Sequence, residues 1–353
     1  MQNTPLSLAI NEFHEAKWTL GRRGTIFLIL CLGFQQFHLK IQSAQDWLLE
    51  SNQPVVMYLT LRTLLEKGEE DPEVRDARSG ILQKGWVPEI LKDQKPDGNW
   101  ESKDDLYRPK YTATFWRMIV LSDFALTYKD DPRLKRGCQL FFDTWLRDMS
   151  VFEKHFEVCE SGNLAKTLTR FGYDDEARVK TVFRLLVSHQ KDDGGWHCWD
   201  PDLGTLDCWE ALAAFNALPK SKRTRSIQAS IDRGAEFYLE RRLYREGRKY
   251  EPWFRFHYPN HYYYDILIGL DLLTSLGFSD DKRLRPALQI LKEKQLPSGL
   301  WKLDAIHPDL GKGANYSLKG RKVNKFALER AGKSSKWVTL KALQVLKRVE
   351  NAD

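Results

Sequence analysis

The chain has 353 residues, 42% hydrophobic and 29% charged, with a formal charge of +7 from 55 Lys and Arg against 48 Asp and Glu. This composition excludes a disordered chain, and the mild positive excess, with no like-charge block beyond SKRTR at 221–225, gives no nucleic-acid signature. Five Cys in a chain of this length exclude a disulfide-built scaffold and point to a reducing, cytoplasmic setting.

Residues 1–43 read as an N-terminal extension. Arg22 and Arg23 precede TIFLILCLGF (25–34), an apolar run of ten residues, too short to cross a bilayer as a helix. A polar, Lys-bearing stretch follows where a signal peptide would carry its cleavage site. The expectation is a buried helix or one docked on the main domain, with a secretory signal and peripheral attachment to a membrane surface as the alternatives.

From residue 44 to the C-terminus the pattern predicts a single all-α domain. Amphipathic segments close at Gln94, Leu146, Gln190, Leu243 and Gln295, spaced by 52, 44, 53 and 52 residues, one helical hairpin per interval. Between these marks lie segments apolar over more than one face: 55–67, 111–128, 163–172, 207–218, 263–277 and 337–348. Such helices take inner positions, and their amphipathic partners, opened by acidic residues at Asp71, Asp131, Asp174 and Asp280, take outer ones. Six inner helices ringed by outer ones predict an α/α toroid, an α6/α6 barrel of about six hairpins.

Three joints repeat almost the same words: QKPDGNW (94–100), QKDDGGW (190–196) and QLPSGLW (295–301). A catalytic cluster occurs once and a structural joint recurs, so these read as turns. Gln, then Gly and Trp after a helix, resembles the repeat of the terpenoid cyclase and protein prenyltransferase superfamily. WLLESNQPVVMYLTLRTLL, SGNLAKTLTRFGYDD and GKSSKWVTLKALQVLKR look like an uncharacterised prokaryotic branch of it. The resemblance covers about 44–349 and implies the squalene-cyclase-like toroid. It does not assign a reaction, because that superfamily holds cyclases, lipidating enzymes and non-enzymatic modules.

The DxDD acid motif of proton-initiated cyclases is absent. The nearest carboxylates are KDDLY (103–107), DPDL (200–203), and YDDE (173–176) and SDD (279–281), the last two read as helix caps. Asp207 or Asp265 is the candidate replacement acid, with Tyr264 beside it. The resemblance to protein prenyltransferases implies a zinc held by Asp207, Cys208 and His261, although Asp and Cys stand adjacent here where that family separates them by one residue. Apart from the resemblance, Cys159, Cys198 and Cys208 all fall at inner-helix entries of neighbouring hairpins and so on one rim. With His261 or His257 they make a possible tetrahedral zinc site; the alternative is a set of buried thiols.

Aromatic residues make up 12% of the chain. Tyr111, Trp116, Trp209, Tyr262 and Tyr263 at helix entries are expected to line a central cavity for an apolar, isoprenoid-like small molecule, the alternative being that they fill the ring. Lys336, with Lys110, Arg117 and Lys333, is the candidate for an anionic head group. The expected function is an isoprenoid-handling enzyme, cyclase-like or prenyltransferase-like. The competing readings are a non-catalytic toroid binding a lipid or protein partner, and a hydrolase or transferase using Asp207, His261 and Asp265.

Overall fold

The computed structural model describes residues 42–245, 250–261, 263–306 and 326–352. The apolar run 25–34 and Tyr262 lie outside them. Among the described residues the chain is helical without strands, and no helix is long and apolar enough to cross a membrane.

A helix over 42–48 and α1 (Pro54–Thr63) make the first hairpin. α2 (Pro72–Gly80) and the short α3 (Trp86–Leu91) lead to α4 (Thr114–Ser122), and α5 (Pro132–Asp143) and α6 (Met149–Lys154) lead to α7 (Val158–Arg170). α8 (Ala177–Ser188) precedes α9 (Glu210–Ala217), α10 (Arg225–Glu240) precedes α11 (Ile266–Leu276), and α12 (Arg285–Glu293) precedes α13 (Lys336–Glu350). The second helix of each hairpin is the apolar one. α4 packs on α7, α7 on α9, α9 on α11, α11 on α13, and α13 returns to α1, giving the α/α toroid.

Polar side chains with buried stems make the closing seam. Lys336 donates to the Trp47 carbonyl at 2.6 Å and pairs with Glu50 at 2.9 Å, while Gln344 Nε2 meets Thr63 Oγ1 at 2.8 Å. These contacts join positions more than 280 residues apart. Lys336, considered above for an anionic head group, is therefore committed to the seam.

The three Gly-Trp joints share one construction. The indole N–H groups of Trp100, Trp196 and Trp301 donate to the carbonyls of Ile90, Leu186 and Leu291 at 2.9, 2.8 and 2.8 Å. Gln94, Gln190 and Gln295 donate to the carbonyls of Gly98, Gly194 and Gly299 at 2.7, 2.7 and 3.0 Å. Each turn thus has its carbonyls satisfied where the outer helix ends. Gly194 has φ +87°, and a Cβ there would stand 2.5 Å from the Arg233 carbonyl oxygen, so only glycine fits.

The helix boundaries differ from the sequence reading where caps decide them. Asp71 and Asp131 do cap α2 and α5 through Glu73 N and Arg133 N. Asp174 does not cap α8: Glu176 accepts from Arg178 N instead, and Asp174 pairs with Lys222. Asp281, rather than Asp280, accepts from Arg283 N. α7 begins at Val158, five residues earlier than 163, which puts Cys159 in its first turn. α9 begins at Glu210 and α11 at Ile266, leaving Asp207, Cys208 and His261 in the preceding loops.

Candidate functional site

Four inner helices, α7, α9, α11 and α13, and Asp123 just past the end of α4 surround an axial cavity of about 80 Å³. That is well below the few hundred Å³ typical of pockets for drug-sized ligands. Much of the ring is filled by its own aromatics: Tyr258 stacks on Trp337 with centroids 4.4 Å apart, and Trp86 and Phe124 pack on Trp337 at 6.3 and 5.7 Å. The remaining hollow is about half polar: His257, Asp265, Lys166, Asn216 and Asn260 bound it together with Leu267, Leu272 and Val338, and Trp209 and Trp337 are its aromatic walls.

Asp265 organises this space. Its Oδ1 caps α11 by accepting from Ile268 N at 2.9 Å. Its Oδ2 accepts from His257 N at 3.1 Å and contacts His257 Nδ1 at 2.7 Å. Both side chains are 1% exposed. A carboxylate bound to Nδ1 assigns the proton of the neutral imidazole to that nitrogen, and in that tautomer Nε2 is an acceptor. Nε2 is buried and has no hydrogen-bond partner among the described residues.

Lys166 stands across the cavity on α7, its ammonium 5.0 Å from the Trp209 ring centroid. Burial pulls its amine down to about 8. The other cations in the wall are neutralised by neighbours: Arg170 pairs with Asp123, and Lys341 holds Asp271 at 3.1 Å, where Arg348 joins it from outside the wall at 2.9 Å. Burial alone would raise the Asp271 carboxyl, but those two cations outweigh it and hold it at about 2.

The residues singled out from sequence separate into several groups. Asp265 and Trp209 reach the cavity. Asp207 Oδ1 accepts from Trp253 Nε1 at 2.6 Å. The Tyr264 hydroxyl donates to the Leu243 carbonyl at 2.9 Å, so this ring fills the joint before α11. Tyr111 stacks on His261 at 5.1 Å, Trp116 meets the same ring edge-on at 5.2 Å, and Lys110 lies over Tyr111 and Tyr263. These residues form a packed aromatic cluster where a cavity lining was expected. The acidic clusters are turns as well: Asp105 accepts from Tyr107 N and Arg108 N, and Asp200 from Asp202 N and Leu203 N.

The three rim thiols do meet. Cys198 Sγ lies 3.2 Å from Cys159 Sγ and 3.8 Å from Cys208 Sγ. Thiol neighbours on both sides, Cys159 foremost, bring the Cys198 thiol down to about 3, whereas contact with Cys198 and burial push Cys159 and Cys208 up. Around them stand Glu160, which burial and Glu157 raise to about 7, and Glu210, whose carboxyl burial pushes well above its ordinary value. Both Glu210 carboxyl oxygens are buried with no hydrogen-bond partner among the described residues. Asp207, Cys208 and His261 do not assemble as a ligand set, and no group of three or more Cys, His, Asp or Glu among the described residues is arranged to hold a metal ion. The His261 ring belongs instead to the Tyr111–Trp116 stack.

Lys166, Glu210 and the paired role of His257 were missed from sequence. The first two had a signal: each is a charged residue whose two neighbours on either side are apolar or small.

No family model matches the sequence, and no curated protein matches it. Among solved structures, a protein from Actinoplanes aligns with 14% identity over 89% of this chain and 99% of that one, at a TM-score of 0.43. A type II terpene cyclase from Scytonema aligns with its product merosterolic acid A bound (16% identity, 90% of this chain and 98% of that one, TM-score 0.44). It also aligns in complex with its substrate geranylgeranyl dihydroxybenzoate (16%, 90% and 98%, TM-score 0.43). Likeness at this level carries no argument about the chemistry of this chain.

Proposed function

We propose that the protein is an enzyme acting in its axial cavity by general acid–base chemistry, on a small molecule with a polar or anionic group and a short apolar part. The observation behind this reading is the buried His257–Asp265 pair, with Nε2 left open as a proton acceptor. A histidine held at Nδ1 by a carboxylate can accept a proton at Nε2 and return it. Lys166 supplies the nearby positive charge that a developing oxyanion needs, and Trp209 offers a face for an apolar or cationic portion.

Size selects among isoprenoid-like substrates. A cavity of about 80 Å³ suits a five-carbon unit and not a twenty-carbon chain, so the isoprenoid-handling reading is retained in its short-chain form. The test is thermal stabilisation and turnover of the full chain with prenyl diphosphates of five to twenty carbons, with inorganic diphosphate as control. Binding is expected to weaken with chain length, and His257→Gln is expected to lower kcat at least about a hundredfold, within the range general-base removal costs. Equal binding of all lengths, or unchanged kcat in the variant, defeats the reading.

One observation favours a second reading, a module that docks a partner or a lipid surface. Trp199 is 82% exposed and Leu203 60% exposed on one loop, an apolar pair of the kind that marks a contact.

A further inference from the structure

We propose that Cys198 and Cys159 form a reversible dithiol–disulfide site that a peroxide oxidises and a dithiol reduces, with Cys208 as a neighbour able to exchange. The three sulfurs come from separate segments: the first turn of α7, the loop after the second Gly-Trp joint, and the residue two before α9. The fold brings them together. Gly162 brings α7 so close to α9 that a Cβ there would meet the Glu210 carbonyl carbon at 2.6 Å. The loop carrying Cys198 is closed at its base by Thr205 N on the Trp196 carbonyl at 2.8 Å and by Gly204 N on Asp193 at 3.1 Å.

Cys198 occupies the middle position, in contact with both other sulfurs. Cys159 is the nearer of the two and, like Cys198, partly exposed, whereas Cys208 is buried. The nearer, more accessible thiol is the resolving partner. Cys138 is a built-in control: it is fully buried on α5, and neither short sulfur contact of Cys198 involves it.

The step balances with hydrogen peroxide as oxidant. The Cys198 thiolate attacks one peroxide oxygen; an S–O bond forms, the O–O bond breaks, and the departing hydroxide takes up the proton that Cys198 released. The Cys159 thiol then loses its proton as its sulfur attacks Cys198. The S–S bond forms, the S–O bond breaks, and a second water leaves. Two thiols are oxidised by two electrons and one peroxide becomes two waters. Reduction by dithiothreitol reverses the sulfur chemistry.

The experiment treats the full chain with stoichiometric hydrogen peroxide and reads intact mass, non-reducing peptide maps and alkylation rates. The expected result is loss of two hydrogens, a Cys159–Cys198 cross-link removed by dithiothreitol, and alkylation of Cys198 at least about tenfold faster than Cys138, as partly exposed and deeply buried thiols differ. Cys159→Ser is expected to yield either a dimedone-trapped sulfenic acid at Cys198 or a Cys198–Cys208 bond. Cys198→Ser is expected to give no Cys159 cross-link, and Cys138→Ser to behave as wild type. Far-ultraviolet circular dichroism checks that each variant is folded. Cys198 reacting no faster than Cys138, a cross-link elsewhere, or one equivalent of co-purified zinc that must be chelated before any of the trio reacts overturns the proposal.

Discussion

At the residue scale, the buried charges decide more than the aromatics do. Lys166 loses its proton near 8 in the folded protein against 10.5 for an ordinary lysine. Below pH 8 both states are charged, and folding bears the full cost of burying the ammonium. Between pH 8 and 10.5 the unfolded chain holds the extra proton, so the contribution of this residue to stability rises with pH. Lys166→Met is expected to remove that rise, measured by chemical denaturation at pH 7.5, 9 and 10. Glu210 has the opposite sign. Its carboxyl is raised by burial and unpaired, so its cost is absent below the unfolded value and grows as pH rises from there. Glu210→Met is expected to stabilise the fold by about 1–3 kcal/mol, the range for removing a buried unpartnered polar group, with the larger gain at pH 8 than at pH 5. A loss at both pH values would show that Glu210 has a partner in the folded protein.

At the element scale, each hairpin is tied to the next by polar joints that were partly readable in advance. The repeated Gln, Gly and Trp spelled out three turns, because a turn is a local object and its glycine and amide requirements sit within seven residues. Gln190 also reaches out of its joint, to the Ser230 carbonyl at 2.9 Å and from Ser230 Oγ at 2.8 Å. Gln190→Ala is expected to cost about 1–3 kcal/mol, since it leaves the buried Gly194 carbonyl and Ser230 hydroxyl without a partner, seen as a lower denaturation midpoint at unchanged m-value. Asp271 links α11 to α13 through Lys341 and Arg348. Its carboxyl is held at about 2 against the ordinary 3.8, so this linkage contributes stability above pH 4 that is lost as pH falls through 2. Asp271→Asn is expected to lower stability at pH 7 and to flatten the acid limb between pH 4 and 2. Helix starts were less legible. Asp-Pro opened α2 and α5 as read, but at 174–176 and 279–281 several acids compete for one cap, and the choice falls to the residue whose carboxylate reaches the amide two positions on.

At the scale of the whole molecule, the ring closes through contacts between its two ends. Lys336 is 6% exposed and holds the Trp47 carbonyl. Lys336→Met is expected to cost about 1–3 kcal/mol and to speed amide hydrogen exchange first in residues 42–48, with α9 and α11 unchanged. Uniform acceleration across all helices would mean that the seam is not a separate unit.

The fifty-residue hairpin beat, the inner or outer place of each helix and the three joints were set by the sequence alone, because each depends on periodicity and turn chemistry within a short stretch. So was the expectation that Cys159, Cys198 and Cys208 share a rim, since it needed only their equivalent register in neighbouring hairpins. Tertiary structure decided what fills the hollow. It turned Tyr264 toward Leu243, Asp207 toward Trp253 and Lys336 toward Trp47, and left His257, Asp265 and Lys166 facing one another. Register fixes where a Cα stands on the ring, whereas the direction a side chain takes depends on which buried donor or acceptor nearby must be satisfied, and that partner stands anywhere from 8 to 289 residues away in the chain.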